Sequence, residues 1–342
     1  MRYANLLMVS AVAVLAWAPA ASAQAPGYVP PKTSWGAPDL GGMWTNESRT
    51  IMSRPKDATK LTISEAEEKE LLKENVYTKV EKDEAGASDV SVEGSKKLLA
   101  DENANRGYNR FWMEPGSHFA RVKGEIRTSW VVDPPNGKVP YKPSAARGYN
   151  DYGGPEARPL TERCLRGFTN AAGPVIGNGM YNNNYEFVQT PGYVMLFAEM
   201  IFDARIIPIF ASKAEAKHAP GLLKKQDGDA VGWYEGNTLV VETINVPAKQ
   251  NIYVSDQGKV TERFTRWNKD QILYEFTVED PSMYTQTWKG EMSFAANSKA
   301  PFEYACHEGN YGLMGILAGA RKYEKDGRKA EKFQPVFGEL SE

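Results

Sequence analysis

The chain has 342 residues, with 41 basic and 43 acidic side chains and a formal net charge of −2, enough for one large domain or two modest ones with a true core. Balanced charge, with no basic stripe interleaved with aromatics, argues against a nucleic-acid partner. Aromatics make up 11% of the chain, including eight Trp and seventeen Tyr, which suits a sheet-rich core or a cavity for a ring-shaped ligand.

Residues 1–23 read as a signal peptide. Arg2 supplies a positive start, Leu6 to Ala18 an apolar centre, and Ala21-Ser22-Ala23 a small-residue cleavage site. The apolar run is too short to anchor the chain, and no later segment is apolar for long enough to span a bilayer. Residues 24–342 are therefore expected in the periplasm or outside the cell, with no integral membrane association. In that oxidising setting the two cysteines, Cys164 and Cys306, are expected to form a disulfide, the other reading being two buried thiols.

Gln24 to Pro38 reads as an extended lead-in, and Gly42-Met43-Trp44 opens the first strand. Ser64 and Glu67 have capping-box spacing and start a helix to about Lys79 whose charges mark a solvated face. Glu81 to Asn105 is an acidic surface insertion, so that about 60–105 forms one helical and acidic addition to a single barrel domain. A strand at Ile126 to Val132 ends in Asp133-Pro134-Pro135-Asn136-Gly137. The passage from Pro140 to Met180 is a long loop, a type that often carries function.

From there the pattern is almost unbroken strand. Tyr185 to Thr190 and Tyr193 to Ile206 form a hairpin about Pro191-Gly192, and Gly232 to Tyr234 with Thr238 to Asn245 a second. Val260 to Trp267, Gln271 to Asp280, Tyr284 to Phe294 and Phe302 to His307 continue the series, and Asn310 to Ala320 suits a short helix that plugs or flanks the sheet. Antiparallel strands in sequence order form a meander, and a meander this long loses its edges by closing into a barrel.

Strand parity points to the chemistry, because side chains two apart share a face. Read as one strand, Tyr193 to Ile206 carries Glu199, Asp203 and Arg205 among large apolar residues on one face; a purely structural ion pair of Arg205 with Asp203 or Glu199 is the competing reading. In Gln271 to Asp280 the apolar face is Ile272, Tyr274, Phe276 and Val278, with Glu275 and Glu279 assigned to the outside. Tyr304-Ala305-Cys306-His307-Glu308-Gly309-Asn310 is the densest chemical text, and His307 suits proton transfer near neutral pH, against a structural role in a turn. Asn182-Asn183-Asn184-Tyr185 offers amide donors to a ligand oxygen, or a turn. His118, His218 and His307 lie far apart and no metal-ligand spacing, P-loop, Gly-x-Gly-x-x-Gly or Gly-x-Ser-x-Gly occurs, so no metal and no cofactor is expected.

The Gly-x-Trp opening resembles that of lipocalin-like barrels, in which Trp closes one end. Longer blocks resemble a family of exported proteins of proteobacteria and acidobacteria. They are Pro38 to Asn46, Gly154 to Cys164, Tyr181 to Pro191, Glu199 to Pro208, Trp233 to Thr243, Glu262 to Arg266, Leu273 to Pro281 and Tyr304 to Arg321. The resemblance implies that the polar residues named above belong to family motifs; it implies no particular reaction.

The expected fold is mainly β, a calycin-like or lipocalin-like barrel with an N-terminal helical insertion and a short C-terminal helix. The expected function is a periplasmic barrel that binds a small aromatic or partly apolar metabolite and performs cofactor-independent acid/base chemistry, a lyase or isomerase. His307 would carry the proton, Asp203 or Glu199 orient it and Arg205 hold an anionic group, while Asn182, Asn184, Tyr185, Tyr304, Glu308 and Asn310 contact the ligand. The alternatives are a carrier or sensor that binds without catalysis and, should Trp and Tyr fill the barrel interior, an envelope interaction protein with no cavity. The oligomeric state is open, a homodimer among the options.

Overall fold

The computed structural model describes residues 24–75, 77–79, 114–145, 154–155, 158, 160–167, 171–221, 225–247 and 251–328. The signal peptide and the acidic segment at 81–105 lie outside them.

The first strand, β1 (Gly42–Thr45), follows the lead-in. Three short strands, β2 (Thr62–Ile63), β3 (Arg121–Val122) and β4 (Glu125–Arg127), form a side sheet in the order β2-β4-β3, with helix α1 (Glu65–Glu74) beside it. The expected capping box is present: the Ser64 hydroxyl accepts from Glu67 N, and the Glu67 carboxylate accepts from Ser64 N at 2.8 Å. One charge of α1 departs from the solvated face assigned to it. Glu68 is 4% exposed, pairs with Arg121 Nη2 at 2.8 Å and accepts from Phe119 N at 2.9 Å. Burial raises its pKa, but Arg121 and that amide more than offset this, so the carboxyl lies below its usual range.

The expected strand at Ile126 to Val132 is two strands, β4 and β5 (Val131–Asp133). The main sheet then runs through β6 (Asn184–Gln189), β7 (Tyr193–Ala198), β8 (Asp203–Phe210), β9 (Asp229–Glu235), β10 (Thr238–Ile244), β11 (Lys259–Asn268), β12 (Gln271–Glu279) and β13 (Trp288–Ala296). Its order is β1-β6-β7-β8-β9-β10-β11-β12-β13, and β13 pairs back onto β1 through Trp44↔Ala296 and Thr45↔Ala295. Nine strands thus close into a barrel, and β5 extends β13 at one side. One junction departs from a meander. Strands β8 and β9 are parallel (Ile209↔Gly232), so the chain between them crosses over the outside, where Phe210 and Ala216 pack on Val231, Trp233 and Val240.

Alternation puts Val260, Phe264, Ile272, Tyr274, Phe276, Trp288, Met292 and Phe294 into the core. Glu275 and Glu279 fall on the outer face of β12, half-buried and exposed, as parity suggested. The interior is filled by rings in series: Phe187 on Phe264 (5.7 Å), Phe264 stacked on Tyr274 (4.8 Å), Tyr274 on Phe276 (5.4 Å), and Phe276 edge-on to Trp288 (5.5 Å). Gly290 stands opposite Phe276 and leaves room for its ring, into which a Cβ would run. Trp44 is 2% exposed, gives its indole hydrogen to Leu40 O at 3.0 Å and lies under the Arg266 guanidinium at 5.3 Å, which covers that side of the barrel.

One expectation at the C-terminus is corrected: Phe302 to His307 forms no strand; it is irregular chain ending in a turn. The expected C-terminal helix is present as α2 (Tyr311–Lys325), running a little past Ala320, and since none of its side chains is buried it does not plug the barrel. Asn310 caps it, accepting from Leu313 N at 3.1 Å. The Cys164–Cys306 disulfide is present and ties this segment to the loop before β6.

Candidate functional site

By its sequence Tyr193 to Ile206 is expected to be one strand, but the chain reverses inside it. Ile201 (φ 62°) and Phe202 (φ 55°) both take the left-handed conformation, rare and costly for residues with bulky side chains. The resulting turn pairs Ala198 with Asp203 and Leu196 with Arg205. Asp203 and Arg205 therefore share the inner face with Leu196 and Ala198. Tyr193, Met195 and Phe197, assigned to the same face as the charges, point outward. Glu199 sits at the turn itself, 2% exposed.

Inside the barrel Arg205 meets a residue the sequence reading did not single out. Its Nη1 lies 3.1 Å from Glu262 Oε1 and its Nη2 2.5 Å from Oε2, with Thr243 Oγ1 2.7 Å from Nη2. Tyr274 donates to Glu262 Oε1 at 2.8 Å and receives Ile176 N at 3.1 Å. Burial works against the charge on Arg205, and Glu262 more than compensates, so the guanidinium holds its proton more firmly than usual. Burial, then the negative Glu262, pushes the Tyr274 phenol well above its ordinary range. Glu262 was legible in principle, since it alternates with Val260 and Phe264 on the apolar face of β11.

A loop closes this end. Ala171, Ala172, Val175 and Ile176 are at most 1% exposed, and side chains from several elements grip their backbone. Tyr185 Oη donates to Ala171 O (3.3 Å), Arg205 Nη1 to Ala172 O (3.3 Å), Arg166 to Gly173 O and Asn251 to Pro174 O. Gly173 has φ 95°, and a Cβ there would lie 2.7 Å from Arg205 Nη1, so the approach of loop to guanidinium needs glycine. Residues 171–176 of the long loop singled out in the sequence thus close this end of the barrel.

Asp203 lies at the margin of this network, partly buried. Among the described residues its hydrogen bond is from Ala172 N, at 3.4 Å. Burial chiefly, and then the nearby Asp227, raise its pKa to about 6, with Arg166 and Arg205 pulling the other way. Arg166 is itself bound to Asp227 Oδ1 at 2.7 Å. On the neighbouring side Glu199 receives Asn182 Nδ2 at 2.6 Å and Asn184 Nδ2 at 2.7 Å. Asn184 also reaches Glu114 Oε2 (3.1 Å) and accepts from Asn297 (2.7 Å), and Lys299 closes the group on Glu114 at 2.7 Å. Tyr185 links the two sides: burial raises its phenol pKa, and both Asp203 and Glu199 raise it further.

Six of the residues named from sequence therefore gather at one end of the barrel: Asn182, Asn184, Tyr185, Glu199, Asp203 and Arg205. The others do not join them. His307 and Glu308 are exposed, and no described hydrogen bond or ion pair connects His307 to Asp203 or Glu199. Asn310 gives its amide to Glu162 O (2.7 Å) and Cys164 Sγ (3.2 Å), while Tyr304 packs on the edge of the core. The reason is the turn before α2, which carries the dense motif out to solvent beside its disulfide. Residues missed at the site, besides Glu262, are Glu114, Arg166, Thr243, Tyr274, Asn297 and Lys299; they come from distant segments and carry no local signal. No group of three or more His, Cys, Asp or Glu able to hold a metal occurs among the described residues. Comparison with protein-family models and with curated proteins gives no match.

Proposed function

We propose that this chain is an exported barrel that binds a small, partly aromatic molecule at the margin of the β7–β8 end, where Asp203 stays partly exposed beside the closing loop, and transfers a proton to or from it without a cofactor, as in an elimination or isomerisation. The observation that carries this is Asp203, an inward-facing, partly buried carboxyl whose pKa is raised to about 6 beside a buried guanidinium. Such a group exchanges its proton near neutral pH, as a general acid or base must. Asn182 and Asn184, fixed by Glu199, supply oriented amides, and the left-handed Ile201 and Phe202 hold the turn between Glu199 and Asp203. The role first given to His307 passes to Asp203. The disulfide fits an oxidising compartment, and no helix among the described residues is long and apolar enough to cross a membrane.

A binding protein without catalysis is the second reading. It is favoured by the pairing of both Arg205 Nη atoms with Glu262, Thr243 and Ala172 O, which leaves that cation engaged within the barrel. Screening the chain against aromatic metabolites by thermal shift together with product analysis separates the two. For the enzyme, Asp203→Asn lowers turnover by about a hundredfold or more and His307→Ala leaves it unchanged. A ligand that binds and is recovered unaltered selects the carrier, and loss of turnover in His307→Ala alone would return the proton to that histidine.

A further inference from the structure

Among the described residues, two apolar surfaces face solvent without a partner. One is the outside of β6–β8. Its outward positions on β7 and β8 are Tyr193, Met195, Phe197, Ala204, Ile206 and Pro208, with no charge among them, and the register sets Val188 opposite Met195 and Met195 opposite Ile206 in a row across three strands. Val188, Tyr193 and Ile206 are 38, 56 and 59% exposed, and Phe202 at the turn 45%. Barrel exteriors in water normally alternate to polar residues there. The other surface is α2, where Tyr311, Met314 and Leu317 form a stripe 79, 70 and 38% exposed.

We propose that these surfaces cover each other between two copies of the chain, α2 of each lying across the β6–β8 face of the other. A 15-residue helix is marginal in water unless an apolar face is packed, and α2 buries no side chain on its own barrel. At about 22 Å it matches the roughly 20–27 Å length of the strands it would cover. The exposed parts of these side chains amount to about 800 Å² per chain when a large side chain is taken as roughly 200 Å². Reciprocal exchange would remove about 1,600 Å², the area of a stable, specific interface, and the two-fold arrangement closes on itself. Charge agrees as well: Glu186 is the charged outward residue beside the patch, and Arg321 continues the stripe one helical turn beyond Leu317. A membrane would account for the helix but leave the sheet face bare.

Sedimentation velocity on the full oxidised chain at micromolar concentration tests this. The wild type is expected to be dimeric, Met314→Lys and Ile206→Glu each to weaken the dimer at least about tenfold, and the double variant to recover most of the loss through the new opposite-charge pair. Both positions are exposed, and an unchanged near-ultraviolet circular dichroism spectrum confirms that each variant is folded. A monomeric wild type, or a dimer indifferent to both single variants, overturns the proposal. So does a monomer that binds phosphatidylcholine–phosphatidylglycerol vesicles through Met314, which would give the helix to a membrane.

Discussion

Arg205 and Glu262 form a two-pronged ion pair inside the closed sheet, where they are 2% and 0% exposed. Removing both from water is costly, and the cost is offset in part because Thr243 and Ala172 O accept from the two Nη atoms and Tyr274 donates to the carboxylate, while Arg205 Nε has no partner among the described residues. Truncating one partner strands the other. Arg205→Leu is expected to lower unfolding free energy by about 3–5 kcal/mol in urea titration, while Arg205→Leu with Glu262→Leu recovers a large share. A single variant within about 1 kcal/mol of wild type would mean the pair is open to water.

Asp203 makes stability fall as pH rises. Its folded pKa of about 6 exceeds the ordinary aspartate value of 3.8, so between those values the folded state holds a proton that the unfolded chain has released, and unfolding gains with each step up in pH. Asp203→Asn removes this dependence. The variant is expected to match wild type near pH 4 and to be the more stable protein at about pH 7, while losing turnover. Parallel melting curves across that window check it; equal slopes in both proteins would refute the raised pKa.

Gly290 tests the aromatic filling. Gly290→Val drives a branched side chain into the Phe276 ring and should cost about 1–3 kcal/mol. Phe276→Leu in the same background makes room and should return part of it. Additive losses would indicate that the two positions do not compete for the same space.

Removing the disulfide separates barrel from tail. Since no side chain of α2 is buried, Cys306→Ser is expected to expose residues 301–328 to protease while the fragment containing β1 to β13 stays resistant. Closing a loop across a separation of 142 residues contributes on the order of 4–5 kcal/mol in the chain-entropy account, so the midpoint of unfolding should fall too. An equally resistant tail in the reduced protein would show that other contacts hold α2, the proposed dimer interface among them.

Sequence alone determined the strands and their closure. Apolar alternation in β11 to β13 reflects one dry and one wet face, a local property that survives without knowledge of the partners. The two cysteines are paired, as expected, and Gly42-Met43-Trp44 opens the barrel. Tertiary structure decided the rest. Two left-handed residues turned one expected strand into two and moved Asp203 and Arg205 to the inside. The parallel β8–β9 junction, and pairing across 57 residues between Arg205 and Glu262, depend on which segments meet, and no spacing within either segment reports that. His307 drew attention through its chemistry, yet whether a titrating side chain faces a site or bulk water is settled by the turn that carries it, and here that turn leads outward.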